Sequence, residues 1–191
     1  MNLFTKDKYT MTKSTEFNSC AKLANDETLN TMNALYDKLK KEGVSPFDYL
    51  LRLQNSLQTD LVTRYGRTYI PSELYKTGKK GELYDFIKDQ QDCINDEMNE
   101  LYSAIAGTHL SSSEQSAIWK KWKSNYDNLR SEQINENLDE NAQLERSFEM
   151  IDIMHFVFNM LICLGVDSEQ KLFTLYCLKN AENLKRYDDN Y

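Results

Sequence analysis

Glycine and proline are scarce in this sequence, whose 191 residues include six glycines and two prolines. That is about a third of their usual combined share. β-Sandwiches, barrels and Rossmann sheets need these residues at many tight turns, so their scarcity excludes such folds and predicts an all-α protein. Hydrophobic residues make up 40% of the chain and charged residues 28%. This balance is ordinary for a protein with a packed core and excludes a disordered chain.

Paired cysteines and long apolar runs are also missing. The four cysteines form no CxxC motif and lie mostly within apolar helical patterns. We therefore predict reduced core residues in a cytoplasmic protein, namely Cys20, Cys93, Cys163 and Cys177. No apolar run follows a basic stretch near residue 1, so no signal peptide is predicted. The most apolar segment, 150–166, is too short and too polar to cross a membrane, and no membrane partner is expected.

Positively charged residues are fewer than negatively charged ones. The sequence has 23 lysines and arginines and 30 aspartates and glutamates, which gives a net charge of −7. A protein that binds duplex DNA needs a basic surface to displace counterions, so direct nucleic-acid binding is not expected. The chain also lacks a P-loop, a kinase-type glycine loop and a GxGxxG motif. A small anionic substrate remains compatible with the charge, because local cations or bound metal ions reverse the sign within a pocket.

Apolar residues recur at helical spacing through most of the chain after residue 24. The sequence predicts a polar arm over residues 1–24 and a single all-α domain over 25–191, built as a multi-helix bundle. Ser45 and Pro46 place a capping hydroxyl and an N1 proline at the start of a helix that runs to about residue 65. Further helices are predicted over 26–42, 82–106, around Trp119 and Trp122, over 144–164, and from 167 or 168 to about 185. Residues 66–81 hold half of the glycines and prolines and are predicted to be the main loop.

A pair of glutamates lies where an amphipathic helix would place apolar side chains. At about 100° per residue, Glu97 falls within the apolar face of the 82–106 helix and Glu100 lies at its edge. An unpaired buried carboxylate is costly unless a cation neutralises it. Taken alone, this ExxE spacing fits a pair of solvent-exposed glutamates equally well.

The helix over 144–164 is apolar nearly all round, which predicts that it is central. Its polar residues nevertheless form one stripe within an arc of about 120°, consisting of Glu149, Asp152, His155 and Asn159. No lysine or arginine occurs between Arg146 and Lys171 to pair with the two acids. Two acid pairs on two interior helices therefore indicate a hard-cation site, and four carboxylates suit Mg²⁺. His155 is interpreted as a hydrogen-bonded structural or base-contacting residue rather than a ligand.

Two segments of the sequence supply positively charged side chains, and one of them also carries aromatic residues. Lys179, Asn183 and Arg186 share one stripe of the last helix, and the segment 119–123 (WKKWK) places three lysines beside two tryptophans. Each feature has an ordinary explanation, because the helix dipole favours cations near a C-terminus and tryptophans at i, i+3 commonly pack together. Combined with four acids, the pattern fits a triphosphate held between Mg²⁺ and cations, with an aromatic ring for a base.

Four segments form a specific pattern when they are taken in order. They are 92–101 (DCINDEMNEL), 117–123 (AIWKKWK), 148–159 (FEMIDIMHFVFN) and 178–183 (LKNAEN). This pattern resembles the motifs of the all-α dimeric dUTPases and related nucleotide pyrophosphatases. The resemblance is strongest to the dCTP pyrophosphatases (dCTPase–dUTPases) of T-even-type bacteriophages and covers about residues 46–191. Typical dimeric dUTPases carry Asn where Gln58 stands, whereas the phage enzymes carry Gln.

The resemblance implies a role for each matching residue. The ligands for Mg²⁺ would be Glu97, Glu100, Glu149 and Asp152, with Glu97 or Glu100 orienting or deprotonating the attacking water. Phosphate contacts would come from Lys179, Asn183, Arg186 and Tyr191, joined by Lys120 and Lys123 from either subunit. Base contacts would come from Gln54 and Gln58, with Trp119 and Asn159 in the same pocket.

We therefore expect a homodimeric enzyme that uses Mg²⁺ to hydrolyse dCTP and dUTP to the monophosphate and pyrophosphate. The resemblance also suggests association with a phage nucleotide-synthesis complex. Because a side-chain amide offers a donor and an acceptor and can turn to present either, Gln54 and Gln58 are expected to satisfy cytosine and uracil alike. The alternatives are a strict dUTPase, a broader nucleotide pyrophosphohydrolase, and a silent helical dimer whose acids bind a structural cation.

Overall fold

The computed structural model describes residues 20–67 and 69–188, and this part of the chain contains helices and no strand. The predicted all-α class is therefore confirmed. Of the expected arm, residues 1–19 lie outside the described residues, and Cys20–Leu23 forms a short 3-10 turn. The α-helices are α1 (Asp26–Lys41), α2 (Pro46–Tyr65), α3 (Pro71–Thr77), α4 (Lys80–Ala106), α5 (Ser112–Gln115), α6 (Tyr126–Ser131), α7 (Glu140–Cys163) and α8 (Glu169–Asp188).

Helix α7 is the centre of the fold, as its all-round apolar character predicts. It packs along α4 and also contacts α2, α3 and the 3-10 turn at Cys20–Leu23. Asn159 hydrogen-bonds Gln90, while Asp152 lies beside Glu97. Residue numbers therefore decrease along α7 in the direction in which they increase along α4. The two longest helices are therefore antiparallel neighbours, and they face each other through the predicted polar stripe.

Two apolar clusters hold α7 in place. Leu51 of α2 packs with Phe158 and Ile162, and the rings of Phe47 and Phe158 meet edge to face at 5.5 Å. The second cluster joins α3 and α4 to the end of α7 through Leu74, Phe86 and Cys163. Because both clusters involve the C-terminal half of α7, they fix the height and rotation of that helix against α2 and α4.

The predicted helix boundaries of α2 are confirmed by its caps. The Ser45 side chain accepts a hydrogen bond from the Asp48 amide, Pro46 occupies the first turn, and Gly66 ends the helix with φ 66°. Gly165 follows α7 with φ 82°, and a Cβ there would lie 2.5 Å from the Tyr75 ring. Glycine is therefore required at this point both by the backbone angle and by the close approach of α3.

Three local predictions are wrong. Residues 66–81 are not one loop, because Pro71 begins α3, which buries Pro71 and Leu74. Tertiary packing there turns a proline that looks like a breaker into a helix N1 residue. The two tryptophans do not lie in a helix. Helix α5 is followed by a 3-10 turn that ends at Ile118, and residues 119–125 form turns. Helix α7 begins at Glu140 rather than near 144, because the Asp139 side chain caps it by accepting from the Ala142 amide.

The four cysteines are free, as predicted, but they are not all core residues. Cys163 is buried, Cys20 and Cys93 are half-buried, and Cys177 is exposed on α8. The core assignment of Cys177 is therefore wrong for the single chain. Within the described residues, no helix is both long enough and apolar enough to cross a membrane.

Helix α8 makes polar contacts with the body near its start. The Glu169 amide donates to the Asp48 carboxylate at 2.6 Å, and Lys171 Nζ donates to the Gly165 carbonyl at 2.9 Å. Further along, large apolar side chains remain exposed, namely Phe173, Leu175, Tyr176, Leu178 and Leu184. This many large apolar side chains exposed on one helix leave a considerable apolar area uncovered by the described part of this chain.

Candidate active site

Carboxylates from α4 and α7 converge at the middle of the helix pair. One oxygen each of Glu97, Glu149 and Asp152 lies within 4.8 Å of the other two, and the three residues are half-buried. The fourth predicted acid, Glu100, is one helical turn beyond Glu97, is exposed, and lines a cavity together with Glu149. The structure thus brings together three of the predicted ligands and places the fourth at their edge.

The carboxylate cluster brings like charges together, and the described part of the chain places no salt-bridging cation beside them. Among residues 20–67 and 69–188, no lysine or arginine forms a salt bridge with any of the four acids. Burial, followed by the charges of Glu100 and Asp152, raises the pKa of Glu149 to about 7. Burial and the neighbouring Glu100 also raise the pKa of Glu97. These carboxyls hold protons more tightly than usual because burial and the neighbouring negative charges both disfavour their ionised forms.

An all-carboxylate donor set of this kind fits Mg²⁺. Hard divalent cations prefer oxygen ligands, and Mg²⁺ is commonly held by a few carboxylates together with water or phosphate oxygens. The half-buried position leaves one side of the cluster open toward the cavity that Glu100 lines. The residues present could therefore hold a cation and still leave positions for a substrate.

Two cavities flank the carboxylates along the α4–α7 pair. The first, of about 570 Å³, lies one turn away and is lined by Cys93 and Phe156, with Gln58, Arg67, Tyr69, Phe86 and Gln90 completing most of its wall. The second, of about 410 Å³, lies in the opposite direction and is polar, with Glu100, Asp139, Glu145 and Glu149 in its lining. We name them the amide cavity and the acidic cavity. The amide cavity offers aromatic surface and hydrogen-bonding amides, whereas the acidic cavity adjoins the cation site.

A chain of buried polar side chains runs beside the amide cavity. Gln54 Nε2 donates to Asn159 Oδ1 at 2.8 Å, and Asn159 Nδ2 donates to Gln90 Oε1 at 2.7 Å. At the other end, His155 Nδ1 lies 2.5 Å from Gln54 Oε1. Gln54 is 3% exposed and Asn159 is fully buried. The predicted hydrogen-bonded role of His155 is therefore matched by a contact between Nδ1 and the buried amide of Gln54.

The residues predicted to contact the base occupy three different environments. Gln58 lines the amide cavity, as a base contact requires. Gln54 and Asn159 lie next to it, but each already uses an amide oxygen and an amide nitrogen on protein partners. Trp119 packs against Tyr102, with ring centroids 5.9 Å apart. Tyr102 lies about 18 Å along α4 from Gln90 at 1.5 Å per residue, so this chain does not bring Trp119 to the amide cavity.

The residues predicted to contact phosphate are not gathered around the carboxylates within one chain. Lys179, Asn183 and Arg186 are exposed on α8, where Arg186 pairs with Glu182 at 3.3 Å. Lys120 Nζ lies 5.7 Å from the Trp119 ring, and Lys123 Nζ donates to the Ser113 hydroxyl at 3.2 Å. Tyr191 lies outside the described residues.

The sequence analysis missed Gln90, which joins the buried chain and also lines the amide cavity. A signal was present in the sequence, because Phe86, Gln90, Cys93 and Glu97 recur at spacings of four, three and four. Such spacing places all four on one face of a helix. The amide at position 90 therefore shares the face of the candidate metal ligand, two turns away from it.

Comparison with known proteins identifies the family. The chain is 37% identical over 175 residues to the dCTP pyrophosphatase of Enterobacteria phage T4, a match that covers 92% of this chain and 98% of that protein. The chain belongs to the T4-type phage dCTP pyrophosphatase family. The dCTP pyrophosphatase of Enterobacteria phage LZ5 matches with the same identity and coverage. The resemblance inferred from the motifs is thereby confirmed at the level of this phage family.

A longer relative contains a similar segment. A DNA replication protein of Enterobacteria phage T4 is 37% identical over 168 residues, which is 88% of this chain but 41% of that protein. No protein-family model matches the chain, and no solved structure matches it significantly.

The raised pKa of Glu149 predicts how metal-free stability depends on pH. The folded protein keeps this carboxyl protonated up to about pH 7, whereas the unfolded chain releases the proton near 4.5. The free energy of unfolding should therefore fall as pH rises through this window. In EDTA, Glu149→Gln should melt at a higher temperature than the unsubstituted protein at about pH 8 and show little gain at about pH 5.

Asp37→Asn is the matched control, because it removes one negative charge from an exposed position of α1. Its effect on the melting temperature should be the same at both pH values. Added Mg²⁺ should raise the melting temperature of the unsubstituted protein more at the higher pH, because protons then compete less for the carboxylates. A Glu149→Gln variant with no pH-dependent gain would contradict the assigned electrostatics.

Proposed function

We propose that this chain is a homodimeric, Mg²⁺-dependent enzyme that hydrolyses dCTP and dUTP to the monophosphate and pyrophosphate. The observation that carries the proposal is the convergence of Glu97, Glu149 and Asp152 between an amide-lined cavity and an acidic one. Membership of the phage dCTP pyrophosphatase family supports dCTP as the substrate. Mg²⁺ is proposed because the converging donors are carboxylate oxygens.

The carboxylates divide the work of binding and proton transfer. Bound Mg²⁺ would supply charge for the phosphates and lower the pKa of a bound water. Glu149 and Asp152 project from α7 as an i, i+3 pair and would hold the cation from one side. Glu97 and Glu100 approach from α4 and are the residues proposed to orient the attacking water and accept its proton. Glu100 is the more exposed of the two and can pass that proton to solvent.

The amide cavity is the proposed site of the base. Its lining combines Phe86, Phe156 and Tyr69 with the amide of Gln58, a mixture that suits a flat heterocycle with polar edges. The cavity lies one helical turn from the carboxylates, so a base bound there would direct its phosphates toward the metal. A pyrimidine fills less of this space than a purine, and the amides offer the donors and acceptors that its edge requires.

A second copy of the chain would complete the site. The four acids need cations nearby when a triphosphate is bound, yet Lys179 and Arg186 are exposed on α8 in the single chain. The same helix exposes large apolar side chains, including Phe173 and Tyr176. Packing a second subunit against α8 would bury part of this apolar surface and bring the cations of one α8 to the carboxylates of its partner.

Neutral substitution of the acids tests the metal site. Glu97→Gln, Glu100→Gln, Glu149→Gln and Asp152→Asn should each lower turnover of dCTP by about two orders of magnitude or more, because each removes charge or a ligand needed in the transition state. Folding should survive, since every change relieves repulsion within the cluster. Pyrophosphate release and circular dichroism would be measured for each variant, with Asp37→Asn as the control. Near-full activity in two or more variants would refute the assignment.

A substrate panel tests the choice of base. Pyrophosphate release should be measured for dCTP, dUTP, dTTP, dATP and the ribonucleotides with Mg²⁺. We expect dCTP and dUTP to differ in kcat/KM by about one to two orders of magnitude, because an exchanged hydrogen bond contributes about 1–2 kcal/mol. Gln58→Ala should impair both. Equal activity on purines would favour a broader pyrophosphohydrolase, and activity on dUTP without dCTP would favour a strict dUTPase.

Subunit complementation tests the shared site. Light scattering should give about twice the chain mass of 22.4 kDa. Asp152→Asn and Arg186→Ala should each be inactive alone, whereas co-expression with two different tags should yield mixed dimers with one intact site. Random pairing would then restore about a quarter of the normal activity. An active monomer, or mixed dimers without activity, would contradict the proposed arrangement.

A further inference from the structure

The buried chain of Gln90, Asn159, Gln54 and His155 has a direction. Asn159 donates to Gln90 Oε1 and accepts from Gln54 Nε2, so its amide nitrogen faces Gln90 and its amide oxygen faces Gln54. Gln54 must then turn its oxygen toward His155, where Oε1 lies 2.5 Å from Nδ1. An oxygen can only accept, so Nδ1 must carry the proton. The ring nitrogen of His155 that carries the proton therefore determines the orientation of all three amides.

The opposite choice is also self-consistent, but only if the whole chain changes together. With the proton on His155 Nε2 instead, Nδ1 would accept from Gln54, and Asn159 and Gln90 would each turn over. The ring proton would leave Nδ1 for solvent while another is taken up at Nε2, so the net charge would not change. Turning one amide alone would set two donors or two acceptors against each other in a buried site, which is unfavourable.

The last residue of the buried hydrogen-bond chain is Gln90, which lies at the amide cavity. This residue is 7% exposed and lines the cavity, and its Oε1 is taken by Asn159. Its Nε2 has no hydrogen bond to any residue in the described part of the chain. Since no buried side-chain nitrogen or oxygen there lacks a partner, this NH₂ group must be accessible. The accessible space beside it is the amide cavity. In the orientation that the three amides have here, Gln90 therefore presents a hydrogen-bond donor to this cavity.

We propose that Gln90 is a specificity-determining residue whose NH₂ group donates to N3 of cytosine, and that His155 is a positioning residue that sets its direction through Gln54 and Asn159. This inference rests on the proposed function, in which a pyrimidine occupies the amide cavity. Cytosine N3 is an acceptor and matches the donor. Uracil N3 carries a hydrogen, so its binding requires Gln90 to present its oxygen. For that, every amide of the hydrogen-bond chain must turn over. The free energy needed for this reversal sets the preference for cytosine over uracil.

Two substitutions at one position separate reading of the base from packing. Gln90→Glu keeps an oxygen for Asn159 but presents a carboxylate oxygen to the base, which suits uracil N3–H. It should lower the ratio of kcat/KM for dCTP to that for dUTP by about tenfold or more, since tenfold corresponds to one good hydrogen bond. Gln90→Met removes both functions at similar volume and should bring the ratio toward one. Gln133→Met, at an exposed turn, should leave the ratio unchanged.

Ring ¹⁵N spectra of His155 give a readout that packing alone would not move. The chain has two histidines, so His109→Asn assigns the signals. In spectra recorded at about pH 8, we expect the Nδ1–H form of His155 in the free protein and with a non-hydrolysable dCTP analogue. The matching dUTP analogue should convert it to the Nε2–H form. In Gln90→Met, the two analogues should no longer differ in this effect.

The outcomes distinguish failure of this inference from failure of the proposed function. If both analogues bind and both nucleotides are hydrolysed, but the ratio and the His155 form do not change, the inference is wrong and the function stands. If neither analogue binds in the presence of Mg²⁺ and no pyrophosphate is released, the proposed function fails and the inference fails with it. An Nε2–H ring in the free protein would also overturn the inference.

Discussion

Repulsion among Glu97, Glu149 and Asp152 is the constraint on which the other features of this molecule depend. Three carboxylates with oxygens within 4.8 Å of one another are unfavourable in a half-buried position without a cation. The fold keeps them together because apolar clusters involving Leu51 and Leu74 fix α7 against its neighbours. In the proposed function, the lower stability of the metal-free state is the consequence of a site already arranged for a divalent ion.

The antiparallel pair of α4 and α7 places different chemistries in successive layers. Amides and aromatic rings come first, the converging carboxylates follow, and the acidic cavity comes last. Gln90 and Glu100 are about 15 Å apart along α4 at the usual helical rise. In the proposed function, an extended nucleotide would lie along this helix pair, with its base and its phosphates contacting separate layers. The buried hydrogen-bond chain holds the amides of the first layer in place, which is what discrimination between two similar bases would require.

The described chain leaves some of its apolar surface uncovered. Helix α8 carries exposed aromatic residues and cations together, and Leu50, Leu53 and Leu57 form an exposed row on α2. The row on α2 has the i, i+3, i+7 spacing of a helix packing surface, whereas the exposed apolar side chains of α8 are distributed around that helix. In the proposed dimer, one contact would bury apolar side chains of both helices and deliver the missing positive charge. Assembly and catalysis would then depend on the same helix.

The sequence by itself determined the all-α class, the caps of α2, the central position of α7, and the acid pairs, because each follows from helical periodicity or from local hydrogen bonding. Tertiary structure alone decided which faces meet. Gln54 and Asn159 are separated by 105 residues, and Asn159 and Gln90 by 69, yet their amides are in contact. Periodicity defines a face on one helix but not the rotation and height of one helix against another, which depend on the packing of all their side chains. For that reason the structure, rather than the sequence, revealed Gln90, committed Gln54 to a buried network, and placed Trp119 away from the amide cavity.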